Sequence, residues 1–393
     1  MLVTVCIITK NEEKLLGACL ESVRAIADEI IVVDTGSIDR TVEIACHFGC
    51  RVLHHEWQED FALARNIGLE SAKGKWIFCI DADERLSAPS NLHDLLINTS
   101  TDIGGYVIER HDLVRDPKTG KTEVNPIGIV RLFRNHSKIR FQGAVHERPG
   151  DAILDAGFQL RLARQFKLTH LVKALSQETL IRKQLRYLGL LEKELIKTPG
   201  DAWFLYYRGK TRLYLENQNG ALADFEAVEK SNTAAPFLRA SACTMKAMAL
   251  AELEQPQAAI GAINNSLRFV PQQSLAHYVA GDILYQCGEF TKAKEHYAEV
   301  RLSLIEEETV GALHGDLYIT AEKKSYKLGC CDLAQGSIRS AYEHFRMGLG
   351  ANSKSAECFY GMSKVLKTMN QAVASDDALM LARRCDPEWC ELY

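Results

Sequence analysis

Trp76-Ile-Phe-Cys-Ile80-Asp81-Ala-Asp83-Glu84 joins an apolar run to two carboxylates spaced two apart. The run reads as a buried strand. The carboxylates then sit at its carboxyl end, where they suit one task well: holding a divalent cation and, through it, a diphosphate. A DxD tripeptide alone is common on solvated turns. The strand before it and the pattern upstream give it weight here.

Upstream, strands alternate with helices. Leu2-Val-Thr-Val-Cys-Ile-Ile-Thr9 is nearly continuous in apolar character, as a strand covered on both faces requires. Lys10-Asn11-Glu12-Glu13 opens a helix with Leu15, Leu16, Cys19, Leu20, Val23 and Ile26 on its apolar face. Glu29-Ile-Ile-Val-Val33 is a second strand, ending in the turn Asp34-Thr-Gly-Ser-Ile-Asp-Arg-Thr41 before a helix through Ala45. Arg51-Val-Leu-His54 is a short third strand, and Phe61-Ala-Leu-Ala-Arg65-Asn66-Ile-Gly68-Leu69 is helical with Asp60 as its N-cap. This order predicts a parallel sheet with helices on both faces. Ligands on such sheets lie beyond the carboxyl ends of the strands. Thr9, Asp34 and Asp81 therefore face one crevice, although 25 and 47 residues separate them. A dinucleotide held by backbone would need glycines in the first strand-to-helix turn. That turn reads Thr9-Lys10-Asn11-Glu12, so a metal-bridged diphosphate fits better.

Four segments carry a resemblance: Ile7-Ile-Thr-Lys-Asn-Glu12, Ile31-Val-Val-Asp-Thr-Gly-Ser-Ile-Asp-Arg-Thr41, Ala64-Arg-Asn-Ile-Gly68 and Asp81-Ala-Asp-Glu84. In this order they resemble the motifs of family 2 glycosyltransferases with the GT-A fold. The resemblance implies a nucleotide-sugar donor, of which a UDP-sugar is the leading case, and a divalent cation, Mn²⁺ or Mg²⁺. It implies that Thr9 and Asp34 contact the nucleoside and that Asn11, Glu12 and Ser37 line the same pocket. Arg65 would lie near the nucleotide or its phosphates, Asp81 near the ribose or sugar, and Asp83 on the metal. Arg140-Phe-Gln-Gly-Ala-Val-His146-Glu147 resembles the segment that carries the catalytic base, with Glu147 favoured over His146. His170 resembles the histidine that closes the metal site. Gly105-Tyr-Val-Ile-Glu-Arg110 and Gly128-Ile-Val-Arg-Leu-Phe133 read as antiparallel additions to the sheet. A polar loop over residues 112–125 is a candidate cover for the acceptor.

The composition suits a soluble, cytoplasmic enzyme. A net charge of −4 gives no reason to expect nucleic acid, and no apolar stretch reaches the length of a membrane helix. The amino-terminal apolar run ends in Thr-Lys-Asn-Glu, so it reads as a strand and not as a secretion signal. Twelve cysteines without a CxxC, among them Cys6, Cys79 and Cys287 in apolar runs, read as free buried thiols of a reducing compartment.

The strand pattern stops near His170. Residues 1–170 are expected to form the GT-A domain and 171–201 a helical linker, with Leu180, Ile181, Leu185, Leu188, Leu191 and Leu195 inward. Residues 202–393 then repeat. Gly209, Ala221 and Phe225 align with Gly281, Ala293 and Tyr297 and with Gly329, Ala341 and Phe345: glycine precedes alanine by twelve, and the aromatic follows four later. Ala247, Ala259 and Ile263 mark a further copy, and residues 353–387 a degenerate last one, with Val373 in the alanine slot. This register resembles the tetratricopeptide repeat. The aromatics Trp203, Phe204, Tyr206, Tyr207 and Tyr214 are mostly core by helical spacing. Residues 301–324 break the register and read as an insertion. Such arrays form concave surfaces that hold extended peptides, and they also mediate packing, so a homodimer through the repeats stays open.

The fold class is therefore an α/β GT-A domain followed by an all-α tetratricopeptide-like domain. The expected activity is inverting, metal-dependent transfer of a sugar to a peptide or protein side chain, Ser/Thr or Cys. The architecture is similar to that of bacterial peptide glycosyltransferases, such as the bacteriocin S-glycosyltransferases. A cell-envelope saccharide is the alternative acceptor. A nucleotidyltransferase would show a glycine-rich first turn, and a non-catalytic scaffold would not need Asp83 or His146-Glu147. His54-His55-Glu56 resembles a metal cluster but has no partner nearby in sequence and reads as structural. Arg131 and Arg134 could meet phosphates or lie on a solvated edge; His111 and His136, like Arg134, read as surface.

Overall fold

A computed structural model describes residues 1–87, 92–115, 122–171, 176–302 and 319–387 of the chain. The described residues divide into two compact units, the first running through Tyr207 and the second from Arg208 onward. Among them no helix is long and apolar enough to cross a membrane.

The first unit is built on an eight-stranded sheet in the order β3-β2-β1-β4-β7-β6-β8-β5. β1 (Val3–Thr9), β2 (Glu29–Asp34), β3 (Arg51–His54) and β4 (Trp76–Cys79) are its parallel half. β1 lies between β2 and β4, which pair with its two edges, and its two faces enter different cores: Val3, Val5 and Ile7 belong to one core cluster and Cys6 to another. α1 (Leu16–Val23), α2 (Thr41–His47) and α3 (Phe61–Ser71) make the crossovers. The first helix starts at Leu16, later than Lys10-Asn11 suggested. Asn11 takes a positive φ of 56°, which breaks helical geometry there. Asp60 accepts from the Leu63 amide at 2.8 Å and caps α3 as expected.

The second half of the sheet is mixed. β5 (Glu84–Ser87) follows the DxD and α4 (Leu92–Ile97) lies after it. β6 (Ile103–Arg115) and β7 (Thr122–Arg134) form a long antiparallel hairpin, and β7 pairs antiparallel with β4. Residues 112–115 and 122–125 are therefore strand, which corrects the loop expected there; residues 116–121 lie outside the described set. α5 (Gly150–Asp155) precedes β8 (Gln159–Leu171), which runs between β6 and β5. That placement sets His170 opposite both Glu84 and Asp112.

α6 (Gln177–Lys197) is one helix, N-capped by Ser176. Its buried apolar residues are Leu190, Leu191 and Leu195, while Ile181 is 40% and Leu185 54% exposed. The expected inward stripe is thus confined to the C-terminal half of the helix. α7 (Ala202–Tyr214) follows, and Trp203, Phe204, Tyr206 and Tyr207 are all buried, whereas Tyr214 is not. Cys6 and Cys79 are buried thiols; Cys287 is exposed at a helix C-terminus, against expectation.

The second unit continues as helix pairs. α8 (Gln218–Lys230) pairs with α7. α9 (Pro236–Glu252) precedes α10 (Pro256–Phe269), α11 (Ser274–Gln286) precedes α12 (Phe290–Glu299), α13 (Ala321–Ala334) precedes α14 (Ile338–Ala351), and α15 (Ala356–Thr368) precedes α16 (Ala372–Cys385). Most of the expected insertion, residues 303–318, lies outside the described set; residues 321–324 belong to α13. The repeat signature has a steric cause. A Cβ on Gly209 would stand 2.6 Å from the Phe225 ring, one on Gly281 2.4 Å from Tyr297, and one on Gly329 2.6 Å from Phe345. Glycine on the first helix of each pair makes room for the aromatic on the second.

The last copy is shifted. Val373 is 78% exposed, so it does not fill the alanine slot. Ser363 and Ser375, also twelve apart, are buried instead, and the Ser375 hydroxyl donates to the Ser363 carbonyl at 2.9 Å. Gly361 packs on Phe345 of the preceding pair.

This packing predicts opposite responses from two glycines. Gly281→Ala should cost about 1–3 kcal/mol by overpacking. Gly261→Ala in α10, where nothing lies within 4 Å of the new methyl, should gain about 0.5–1 kcal/mol of helix propensity. Thermal unfolding of the two variants tests this, and a stabilised Gly281→Ala would refute the steric account.

Candidate active site

The site is assembled at the carboxyl ends of β1, β2 and β4. Thr9 and Asp34 are register partners at the ends of neighbouring strands, and both are buried. The Asp34 carboxylate accepts from the amides of Gly36 and Ser37 at 3.1–3.3 Å. Gly36 takes φ of +100°, a conformation that side chains resist. Asn11 locks the two loops together: its amide donates to Ser37 Oγ at 2.9 Å and its Oδ1 accepts from the Ile38 amide at 2.9 Å. The Glu12 amide donates to Thr41 Oγ1. Thr9 Oγ1 is buried with no hydrogen-bond partner. A cavity of about 410 Å³ opens here, with Asn11, Glu12, Lys14, Asp39 and Leu171 on its walls.

Asp81 is the hub. Its Oδ1 accepts from Arg65 at 2.8 Å and its Oδ2 from Arg131 at 2.5 Å. Burial pushes this carboxyl up, but Arg131 and Arg65 outweigh that effect and hold it well below the usual carboxylate range. Arg131 also donates to Glu84, which is fully buried, at 2.9 Å, and Arg110 reaches the same oxygen at 3.3 Å. Arg131 is therefore a buried structural cation, neither a solvated edge nor an open phosphate ligand. Arg65 is committed as well: its Nε donates to Glu147 at 2.6 Å.

The Ala64-Arg-Asn-Ile-Gly68 motif becomes legible from this. Arg65 ties Asp81 to Glu147. Asn66 pins the start of the Glu147 loop by donating to the Phe141 carbonyl at 3.0 Å and accepting from its amide at 2.9 Å. Gly68 faces the sheet, where an added Cβ would sit in ordinary contact with Val33 at 3.4 Å and Cys6 at 3.6 Å.

Asp83 and His170 meet as expected. His170 Nε2 stands 3.5 Å from Asp83 Oδ2, and its Nδ1 lies 2.9 Å from Asp112 Oδ1. The Leu171 amide donates to the Asp83 carbonyl, so β8 clasps the DxD backbone. Burial lowers the imidazole pKa, but hydrogen bonds to Asp112 and Asp83 raise it to about 9. Two ligand atoms 3.5 Å apart can both reach one cation at about 2.1 Å, and a carboxylate behind the histidine is the usual support for a metal-bound imidazole. The described residues hold no group of three or more His, Cys, Asp or Glu placed to bind an ion. The charge balance also fits. Asp81, Asp83, Glu84, Asp112 and Glu147 outnumber Arg65, Arg110, Arg131 and His170.

His146 and Glu147 are not on a strand. They lie in a loop closed by a bridge between Gln142 and Arg148, and His146 takes φ of +53°. Glu147 turns to Arg65, while His146 stacks on Tyr207 at 3.8 Å between ring centroids. His54 Nδ1 lies 3.7 Å from Asp34, and His55 Nε2 is buried without a partner; the pair forms no metal cluster. Sequence reading missed Arg110 and Asp112, whose roles depend on the pairing of β6 with β8.

This arrangement defines a nucleotide-sugar transferase fold, and comparison with known proteins gives it a family. Residues 4–139 match the model of glycosyl transferase family 2, so the N-terminal part of the chain is a family 2 glycosyltransferase domain. Glycosyltransferase SunS, encoded by the SPbeta prophage of Bacillus subtilis, is 30% identical over 230 residues, covering 56% of this chain and 51% of SunS. The TPR repeat-containing protein Synpcc7942_0270 of Synechococcus elongatus is 37% identical over 155 residues, covering 39% of this chain and 36% of that protein. The chain thus spans about half of SunS and about a third of the Synechococcus protein. Among solved structures, the TPR protein YrrB overlaps 50% of this chain and 92% of its own, at 15% identity and a TM-score of 0.38.

The buried charge cluster sets a stability prediction. Arg131→Ala leaves Glu84 and Asp81 short of a cation and should cost about 3–5 kcal/mol. Arg24→Ala, which loses only an exposed pair with Glu21, should change stability by less than about 0.5 kcal/mol. Urea denaturation of both proteins checks the contrast, and equal midpoints would refute it.

Proposed function

We propose that the protein transfers a sugar from a nucleotide-diphosphate sugar, with a UDP-sugar the leading case, to a peptide or protein side chain with inversion at the anomeric carbon. The observation that carries the reading is a family 2 domain in which Thr9 and Asp34 end neighbouring strands, Asp83 meets His170, and Arg65 joins Asp81 to Glu147. Thr9, Asn11, Glu12, Asp34 and Ser37 would hold the nucleoside; the spare Thr9 hydroxyl supports this. Asp81 would face the ribose or sugar. Asp83 and His170 would hold a divalent cation, Mn²⁺ or Mg²⁺, which when bound offsets charge on the leaving diphosphate. Glu147 would take the proton from the acceptor hydroxyl or thiol as that atom attacks. Arg65, buried between two carboxylates, would orient these groups and not meet phosphate itself. The helical repeats support a peptide or protein acceptor, because stacked helix pairs build extended binding surfaces.

The experiment is a panel of UDP-, GDP- and dTDP-sugars with Mn²⁺, read as donor hydrolysis. Wild type should turn over at least one, and EDTA should abolish it; full activity in EDTA would refute the metal assignment. Asp83→Asn should lower turnover at least ~100-fold, about 3 kcal/mol of barrier. Asp34→Ala should raise the donor KM more than it lowers kcat, since a nucleoside contact is made alike in ground and transition states. Glu147→Gln should bind donor normally and lose ~100-fold or more in turnover.

A further inference from the structure

The base-bearing segment is a loop, and loops hold chemistry loosely unless something fixes them. Here the fixing groups on one side come from α3. Asn66 holds Phe141, the Phe61 amide donates to the Ala144 carbonyl at 3.0 Å, and Arg65 holds Glu147. On the other side they come from the first turns of α7. The Trp203 indole N–H donates to the His146 carbonyl at 3.0 Å. The Arg148 guanidinium lies 3.6 Å over the Trp203 ring. The Tyr207 ring stacks on His146 at an interplanar angle of 14°, and Tyr187 of α6 meets the same imidazole edge-on. Gly143, with φ of +95°, leaves room for Phe204; a Cβ there would lie 2.8 Å from that ring. Every one of these groups lies in the first compact unit.

His146 is the keystone of this contact. Its positive φ is unfavourable for a residue with a Cβ and persists where surrounding structure holds it. That conformation turns the imidazole to the α7 aromatics while its neighbour Glu147 turns to Arg65.

We propose that His146, Trp203 and Tyr207 are positioning residues for Glu147, so that the start of α7 is part of the catalytic apparatus and His146 is an anchor, not a base. This rests on the reading of Glu147 as the base. Trp203 fixes the His146 backbone and Tyr207 fixes its ring. Together they set where the Glu147 carboxylate stands relative to the acceptor atom. Displacing a reacting group by about 1 Å costs on the order of 100-fold.

The test is a double-mutant cycle on the full chain, read as hydrolysis of whichever of UDP-glucose, UDP-N-acetylglucosamine or GDP-mannose the wild type turns over fastest. Tyr207→Leu and His146→Ala should each lower kcat at least 10-fold with the donor KM within about twofold. Trp203→Phe, which keeps the ring and removes the N–H, should fall between them and wild type. In the Glu147→Gln background the same substitutions should have no further effect, because the group they position is already gone. A purely structural role would lower turnover by the same factor in both backgrounds, and that result would overturn the proposal. So would wild-type kcat in His146→Ala and Trp203→Phe, which are the decisive variants if Tyr207→Leu does not fold. Wild-type turnover in Glu147→Gln itself would instead overturn the base assignment, and no turnover of any donor by the wild type would overturn both.

Discussion

The pair of buried guanidinium groups on Asp81 is the constraint on which the first unit depends. Arg65 and Arg131 reach it from opposite sides, one from a helix and one from an antiparallel strand. Neither could be buried unpaired, since an isolated interior charge costs several kcal/mol. Asp81, Glu84 and Glu147 make that burial tolerable, and in return the arginines fix the three carboxylates in place and hold Asp81 below its ordinary pKa. The parallel half of the sheet, the hairpin and the Glu147 loop are thus held to one another by charge at the point where the chemistry is proposed. Hydrophobic packing alone would leave their relative position soft by comparison, because it has no directional preference.

The same logic explains the return of β8. Its pairing with β6 and β5 brings His170 into line with Asp112 on one side and Glu84 on the other. Arg110 then neutralises Asp112 through two contacts at 2.7 and 3.0 Å while touching Glu84. Asp112 is consequently held below its ordinary pKa against the opposing effect of burial, chiefly by its hydrogen bonds to His170 and Arg110. A carboxylate in that state fixes the imidazole ring and leaves its other nitrogen toward Asp83.

Local signals carried much of this. The parallel half of the sheet, the crevice at the ends of β1, β2 and β4, and the DxD could be read from apolar runs and the turns that end them. The glycine–alanine–aromatic register was legible because each copy solves one steric problem, the approach of two helices. What stayed hidden was set by long-range pairing. Arg110 and Asp112 look like solvated strand charges until β6 is paired with β8. Arg131 looks ambiguous until β7 brings it to Asp81, fifty residues away. The apolar Ile181 and Leu185 satisfied helical spacing, yet they lie on a part of α6 that packs little. Val373 failed for a simpler reason. Val373 lies twelve residues after Gly361, whereas the buried pair stands two residues on: Ser363 and Ser375 keep the spacing of twelve and are joined by a hydrogen bond.

Arg65 shows why a motif residue should be read by its partners. Its place in the sequence, shortly before the DxD, invites the idea of a phosphate ligand. Its side chain is 7% exposed, with Nη2 donating to Asp81 and Nε to Glu147. Turning these two donors to an anion would leave two carboxylates uncompensated in a poorly solvated site, at a cost that a phosphate contact would first have to repay. The arrangement favours a different division of labour. The guanidinium stays neutralised and rigid, and in the proposed function the attraction for a diphosphate would fall to a cation at Asp83 and His170. A fixed arginine between Asp81 and Glu147 also sets the distance between these two carboxylates, because its planar fork offers donors in a rigid geometry that lysine lacks. The adjacency of Arg65 and Asn66 then follows from their partners: one residue spans the carboxylates and the next pins the loop that carries Glu147.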